Sequence, residues 1–273
     1  MIKSKPLDFC LLIPCYNNFD GLLLSLGTVV YYPDRFMVLI VDDGSIVPVM
    51  SASIKSGIKI DFPLFILRNE VNKGITAALN SGLEWIEENG AANYVARLDC
   101  GDLCAPERFY KQMDFLHNHT DVGLIGSWCV FEDRSRSFRY QYRTPTSHSG
   151  IRRAMHFRNA FIHPTVIFET ALLKKVGHYP TNFPHAEDYA FFYQLIEITR
   201  SHILDELLVV CEINDRGISL KNRKEQLISR GRIVTRYGTN PLLKIAGILR
   251  VYALRLLPKR LVLHLRRNWQ SEQ

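Results

Sequence analysis

The chain has 273 residues, which is enough to bury a full core and to form one large domain with an extension. With 47% hydrophobic and 22% charged residues, it is neither a disordered nor a fibrous sequence. Its net charge of +7 is localised: from residue 241 onward seven Lys and Arg stand against one acid, Glu272, so the body is close to neutral, which argues against a basic groove for nucleic acid.

The first apolar run, 8–13, is stopped by Pro14 and predicts a central strand. It is too short for a signal-peptide core, and no uncharged apolar run approaches about 18 residues. The sequence therefore predicts a cytoplasmic protein with no bilayer span. The six cysteines form no Cys-x-x-Cys pair, as expected of buried thiols in a reducing compartment, and Cys100 and Cys104 lack a second ligand pair at zinc spacing. Helical spacing follows from about Asp20 to Val30. Phe36 to Val41 is the second strand, closed by Asp42-Asp43-Gly44-Ser45. Such a carboxylate pair either accepts hydrogen bonds from a ribose or base at a sheet edge, or is simply good turn chemistry.

Phe65 to Leu67 is a third strand, and Arg68 to Gly74 leads into a helix over 75–88, where Lys73 or Arg68 could meet a phosphate. This alternation of strand and helix predicts parallel pairing. Tyr94 to Leu98 suits a buried strand that ends in Asp99, with Asp102 one turn on and Pro106 opening the next helix. Two carboxylates in a tight loop can hold one Mg²⁺ or Mn²⁺, or can cap the following helix. After a strand over 122–131, residues 132–149 are polar and carry Arg134, Arg136, Arg139 and Arg143, the pattern of an exposed excursion. A helix over 151–157, a turn at His163-Pro164 and a short strand at 165–168 come next. Glu187 and Asp188 open a mainly apolar helix, where the helix dipole favours acids. A last strand over 207–211, a loop at 214–217 and a cationic helix over 221–237 complete the body.

Six pieces in order resemble the family 2 glycosyltransferases over roughly residues 8–220: Leu12-Ile13-Pro14-Cys15-Tyr16-Asn17, Val41 to Ser45, Asn72 to Ile75 with Asn80-Ser81-Gly82, Arg97-Leu98-Asp99, His163 to Val166, and Glu187-Asp188-Tyr189. The resemblance implies a GT-A fold, an α/β architecture with a mainly parallel sheet and flanking helices. It also implies inverting transfer of a hexose or N-acetylhexosamine from a nucleotide sugar, with a UDP-sugar as the expected donor. Pro14, Tyr16 and Asp42 or Asp43 then hold the nucleoside, Lys73 and Glu187 line the donor site, Asp99 lies near ribose and metal, and Asp188 is the catalytic base. One departure stands out. The family's acidic motif is Asp-x-Asp, and here Gly101 occupies the third position with Asp102 next. The expected metal ligands, for Mn²⁺ or Mg²⁺, are Asp99 and Asp102. A non-catalytic nucleotide-sugar-binding subunit is the alternative that Gly101 motivates. A nucleotidyltransferase would need a glycine-rich basic loop after the first strand, which Pro14 to Asn18 is not.

The domain division expected is 1–220 for the transferase and 221–273 for a basic helical extension. At 100° per residue, Leu242, Ile245, Ala246, Leu249, Tyr252, Ala253 and Leu256 fall on one side of a helix that Pro258 interrupts. An apolar face flanked by Lys and Arg suits an anionic membrane surface. Packing on the catalytic domain, or on a second copy as a homodimer, is the other reading. The acceptor implied is a glycan or a lipid-linked glycan on the inner face of the cell membrane.

Overall fold

The structure is a computed structural model that describes residues 7–133, 135–213 and 222–256. In chain order its elements are β1 (Leu7–Cys15), α1 (Phe19–Leu26), β2 (Phe36–Asp42), α2 (Ser51–Gly57), β3 (Leu64–Arg68), α3 (Ile75–Asn89), β4 (Ala92–Arg97) and β5 (Leu103–Cys104). Then come α4 (Arg108–Asn118), β6 (Val122–Asp133), β7 (Phe138–Tyr142), α5 (His148–Met155), β8 (Ile167–Glu169), α6 (Leu173–Val176), α7 (Glu187–Ile198) and β9 (Arg200–Glu212). The last two described helices are α8 (Arg223–Tyr237) and α9 (Pro241–Leu256).

The strands form one sheet in the order β3-β2-β1-β4-β8-β6-β9-β5, with β7 paired to β6. Its first half is parallel throughout, as the strand and helix alternation requires. The second half is mixed: β8 runs antiparallel to both β4 and β6, while β9 returns parallel to β6. The polar excursion after β6 is a hairpin, β7 pairing antiparallel through Phe131 and Tyr140, and Arg143 lies over the Trp128 ring at 5.2 Å. The loop expected at 214–217 lies outside the described residues, as does everything beyond Leu256.

Period-2 alternation sends the central strands' side chains to two cores. Cys10, Leu12, Leu39 and Val41 pack with Leu79, Leu83 and Ile86 of α3 and Phe191 and Leu195 of α7. Phe9, Leu11, Val38 and Ile40 face Leu22 and Leu26 of α1 and Phe109 and Met113 of α4 on the other side. The result is a sheet between two helical layers, in which both faces of β1 and β2 are covered.

The described part of the C-terminal extension packs on the body by one side alone. Helix α9 lies on α8 through a narrow seam, Gly247 and Val251, the buried residues of that helix. A Cβ at Gly247 would stand 2.0 Å from the His156 carbonyl oxygen, so the absence of a side chain is what lets the helix approach. The apolar side marked out in the sequence points the other way. Leu242, Ile245, Leu249, Tyr252 and Leu256 are 57 to 86% exposed.

Candidate active site

Strands β1, β2 and β4 end side by side, Pro14 in register with Val41, Cys15 with Asp42 and Leu12 with Arg97. In open α/β sheets this carboxyl edge is where ligands bind. Here the loops that leave it are stitched together. Asn17 holds a left-handed backbone (φ 49°), donates its amide to Ser45 Oγ at 2.9 Å and accepts the Ile46 amide on its side chain. Tyr16 stands half exposed at the rim.

Asp42 and Asp43 are both buried. Asp42 accepts the amides of Ser45 at 2.9 Å and Val49 at 3.1 Å and pairs with Arg68. Burial opposes its ionisation, but these hydrogen bonds outweigh it and hold the carboxyl below its ordinary range. Asp43 accepts the Gly74 amide at 2.8 Å, the Lys73 amide and the Asn69 side chain. Both carboxylates are thus taken up by protein donors and set the shape of the loop. The exposed Lys73 side chain and the rim residue Tyr16 are what that loop presents outward.

Beneath Asp99 lies a buried cation. Arg97, with no exposed surface, donates to Asp99 Oδ1 at 2.6 Å, to the Leu12 carbonyl and, through Nε, to His163 Nε2 at 3.3 Å. The same His163 nitrogen is 2.8 Å from the Tyr179 hydroxyl. A guanidinium only donates, so Nε2 is an acceptor and the imidazole is neutral with its proton on Nδ1. Burial, and then the charge of Arg97, push its pKa down to about 3. Tyr179 is itself fixed by Asn80 of α3, which pairs with its backbone amide and carbonyl at 2.9 Å each. His163 is therefore a half-buried structural link beneath Asp99.

Asp188 is half-buried at the start of α7. One carboxyl oxygen accepts the Asn159 side chain at 3.0 Å. Burial, then repulsion from Glu187, push its pKa up to about 7, and Asp99 adds to the same effect. Glu187 is also raised, by burial first and with Asp99 contributing. Asp99, just past β4, is thus near enough to the acidic pair that opens α7 to raise both carboxyls, although some ninety residues separate them in the chain.

The motif loop departs from the expected metal arrangement. Asp102 is turned inward and buried, its Oδ1 accepting the Glu212 amide at 2.8 Å. Burial, then Asp99, raise its pKa well above the ordinary range, so it anchors the loop as a structural acid. Gly101 has φ +104°, and a Cβ there would lie 2.6 Å from Glu212 Oε2. The place of the absent motif side chain is filled by a carboxylate from β9. Among the described residues no group of three or more His, Cys, Asp or Glu is arranged to hold a metal ion alone. Asp99 and Glu212 are two hard oxygen donors, and these fit a Mg²⁺ or Mn²⁺ whose other ligands are water and phosphate. Glu212 and Asn159 carry no motif signal, and Arg97, though part of the Arg97-Leu98-Asp99 piece, has contacts with Leu12 and His163 that nothing in the sequence marks.

A twisted α/β sheet with carboxylates gathered at its carboxyl edge is the architecture of a nucleotide-dependent transferase. The family model described as "Glycosyl transferase family 2" matches residues 10–177, and the chain belongs to that family. It is 30% identical over 195 residues to the amylovoran biosynthesis glycosyltransferase AmsE of Erwinia amylovora, covering 70% of each chain. It is 29% identical to the UDP-Gal:alpha-D-GlcNAc-diphosphoundecaprenol beta-1,3-galactosyltransferase of Escherichia coli, covering 67% of this chain and 66% of that one. Among solved structures, S. aureus TarS in complex with UDP-GlcNAc superposes with a TM-score of 0.63 at 17% identity, over 89% of this chain and 70% of that one. The mannosyltransferase PcManGT of Pyrobaculum calidifontis, in complex with GDP-Man and Mn²⁺, gives 0.59 at 18% identity, over 92% and 70%. The protein is a glycosyltransferase with a GT-A fold.

Proposed function

We propose that the chain inverts the anomeric centre as it moves a hexose or N-acetylhexosamine from a UDP-sugar to a hydroxyl of a lipid-linked glycan, in surface polysaccharide synthesis. The observation that carries this reading is Asp188, a carboxyl at the start of α7 that burial and the charges of Glu187 and Asp99 push up to about 7. In inversion the acceptor hydroxyl attacks from the face opposite the leaving diphosphate and must lose its proton. Asp188 takes that proton. The Asn159 side chain on one oxygen and the Tyr189 amide on the other fix the carboxylate, and the neighbouring Glu187 keeps it basic. Asp99, held by Arg97, lies on the donor side, with Pro14, Tyr16 and Lys73 around the nucleotide. A divalent cation, when bound, neutralises the charge that grows on the diphosphate. The galactosyltransferase named above supports the choice of a UDP-sugar and a diphospholipid acceptor.

Release of free UDP is the test, followed for a panel of UDP-sugars with and without a lipid-linked glycan. One donor should turn over, and only when the acceptor is present. Tight nucleotide binding with no release for any donor would support the non-catalytic subunit instead.

The exposed side of α9 suits an anionic membrane surface. Leu242, Ile245 and Leu249 lie outward, with Arg250 and Arg255 exposed on the same helix. The chain continues beyond Leu256 with Lys259, Arg260, Arg266, Arg267 and Trp269. A cavity of about 390 Å³ between α8 and α9, lined by Phe183, Ile228 and Tyr252 with Arg232 and Arg236 among its walls, adds apolar surface with basic side chains. No described helix is long and apolar enough to cross a membrane. Attachment by an apolar helix face with each basic residue adding about 1 kcal/mol fits this pattern. Replacing Ile245 and Leu249 with Glu removes two apolar anchors, each worth about 1.5–3 kcal/mol when buried. That variant should lose more than tenfold in sedimentation with phosphatidylglycerol-containing vesicles at low salt, while turnover on a short soluble acceptor is kept. Equal sedimentation would exclude the α9 face, and a dimer that the variant splits would assign it to a second copy.

A further inference from the structure

We propose that Glu212, at the end of β9, supplies the carboxylate that the acidic motif lacks at Gly101, and that with Asp99 it holds the divalent cation on the donor diphosphate. This inference rests on reading the carboxyl edge of the sheet as a nucleotide-sugar site. Its physical basis is a replacement in space. Gly101 is buried at φ +104°, a backbone that L side chains rarely adopt, and Glu212 Oε2 stands 2.6 Å from where its Cβ would be. A carboxylate at position 101 and the Glu212 carboxylate cannot both be present without a shift of the loop or of the glutamate.

The position of Glu212 is set by the framework. Its amide donates to Asp102 Oδ1 at 2.8 Å, which ties the end of β9 to the motif loop. The loop is tied in turn to α1, where the Gly101 amide donates to Ser25 Oγ at 2.9 Å and Ser25 Oγ donates to the Asp99 carbonyl at 3.2 Å. Glu212 is exposed, and among the described residues its carboxylate makes no hydrogen bond or ion pair. It is a carboxylate set against the Gly101 backbone of the motif loop, two residues on from Asp99, and it comes from a different strand. Mg²⁺ and Mn²⁺ accept such a pair readily, because water and diphosphate oxygens complete the shell.

The test is Mn²⁺ binding itself, read by electron paramagnetic resonance of the free ion in the presence of UDP. UDP affinity is measured separately in EDTA. Loss of an outer-shell partner already costs about 10–100-fold in metal affinity, and loss of a ligand costs at least that. Glu212→Gln should therefore weaken Mn²⁺ binding by tenfold or more and leave UDP affinity in EDTA unchanged. Glu132, its cross-strand neighbour on β6, provides the control. Glu132→Gln removes the same charge nearby and should leave Mn²⁺ binding as in the unaltered protein. The proposal fails if Glu212→Gln binds Mn²⁺ normally, or if Glu132→Gln loses as much. If the unaltered protein binds UDP neither with Mn²⁺ nor in EDTA, the nucleotide-sugar reading itself is wrong and the proposal falls with it; if it binds UDP but no Mn²⁺, the proposal alone fails.

Discussion

Asp188→Asn is expected to lower kcat by about 10²–10⁴, the contribution of a positioned general base, while leaving UDP affinity within a few fold. The amide is nearly isosteric and can keep a contact with Asn159, so binding survives and only proton removal is lost. The pH dependence gives a second reading of the same group. With a pKa of about 7, the carboxylate form grows as pH rises through neutrality, and kcat should rise from acid pH and level off above about 7. Stability runs in the opposite sense. Because the folded value lies above the ordinary one of 3.8, the native carboxyl keeps a proton that the unfolded chain releases, and stability falls as pH rises between the two. The Asn variant is free of this penalty, so its Tm relative to the unaltered protein should increase from pH 4 to pH 8. A variant that matches the unaltered kcat at saturating substrates removes Asp188 from the mechanism.

Much of this architecture is legible from periodicity. Apolar runs bounded by Pro, Gly and paired Asp locate β1 to β4, most clearly β1 and β2, whose two faces are both buried, and helical spacing locates α3, α4 and α7. The antiparallel turn of the second half is not legible. Strand β8 has three residues, and its direction is set by pairing with β4 and β6. The acidic pairs are visible as residue types, but their use is not. Asp42, Asp43 and Asp102 all carry motif spacing, yet their oxygens are taken by backbone amides that only the fold brings near. Asp102 meets its partner Glu212 across 110 positions, a separation at which no spacing rule operates. In α9 the wheel finds the apolar arc correctly and cannot say which side packs. That is decided by Gly247, where the lack of a side chain lets the helix meet the His156 carbonyl.

Arg97→Ala should destabilise the protein by about 2–5 kcal/mol, the cost of emptying the place of a large, fully buried side chain, since its partner Asp99 is 40% exposed and stays solvated. The argument follows from what the guanidinium holds. It is fully buried, and it joins Asp99, the Leu12 carbonyl at the end of β1 and His163 in one network. Its own carbonyl accepts a hydrogen bond from a second buried arginine, Arg108, at 2.8 Å. Truncation leaves the Leu12 carbonyl with only the long Leu98 amide contact at 3.5 Å and His163 Nε2 with Tyr179 alone, and frees Asp99 to swing. Lysine cannot repair this, since one ammonium does not reproduce a planar fork with three separate partners. At roughly 2–4 °C per kcal/mol for a chain near this size, Arg97→Ala should melt about 10 °C lower, and Arg97→Lys should recover only part of that. UDP affinity should fall in both variants, because Asp99 no longer has a fixed position at the donor side. His163→Gln offers a contrast. It keeps an acceptor for Arg97 and removes no charge, so its loss of stability should be well below that of Arg97→Ala. Equal melting temperatures for Arg97→Ala and the unaltered protein would mean that Asp99 is placed by the loop alone, with the buried arginine a bystander.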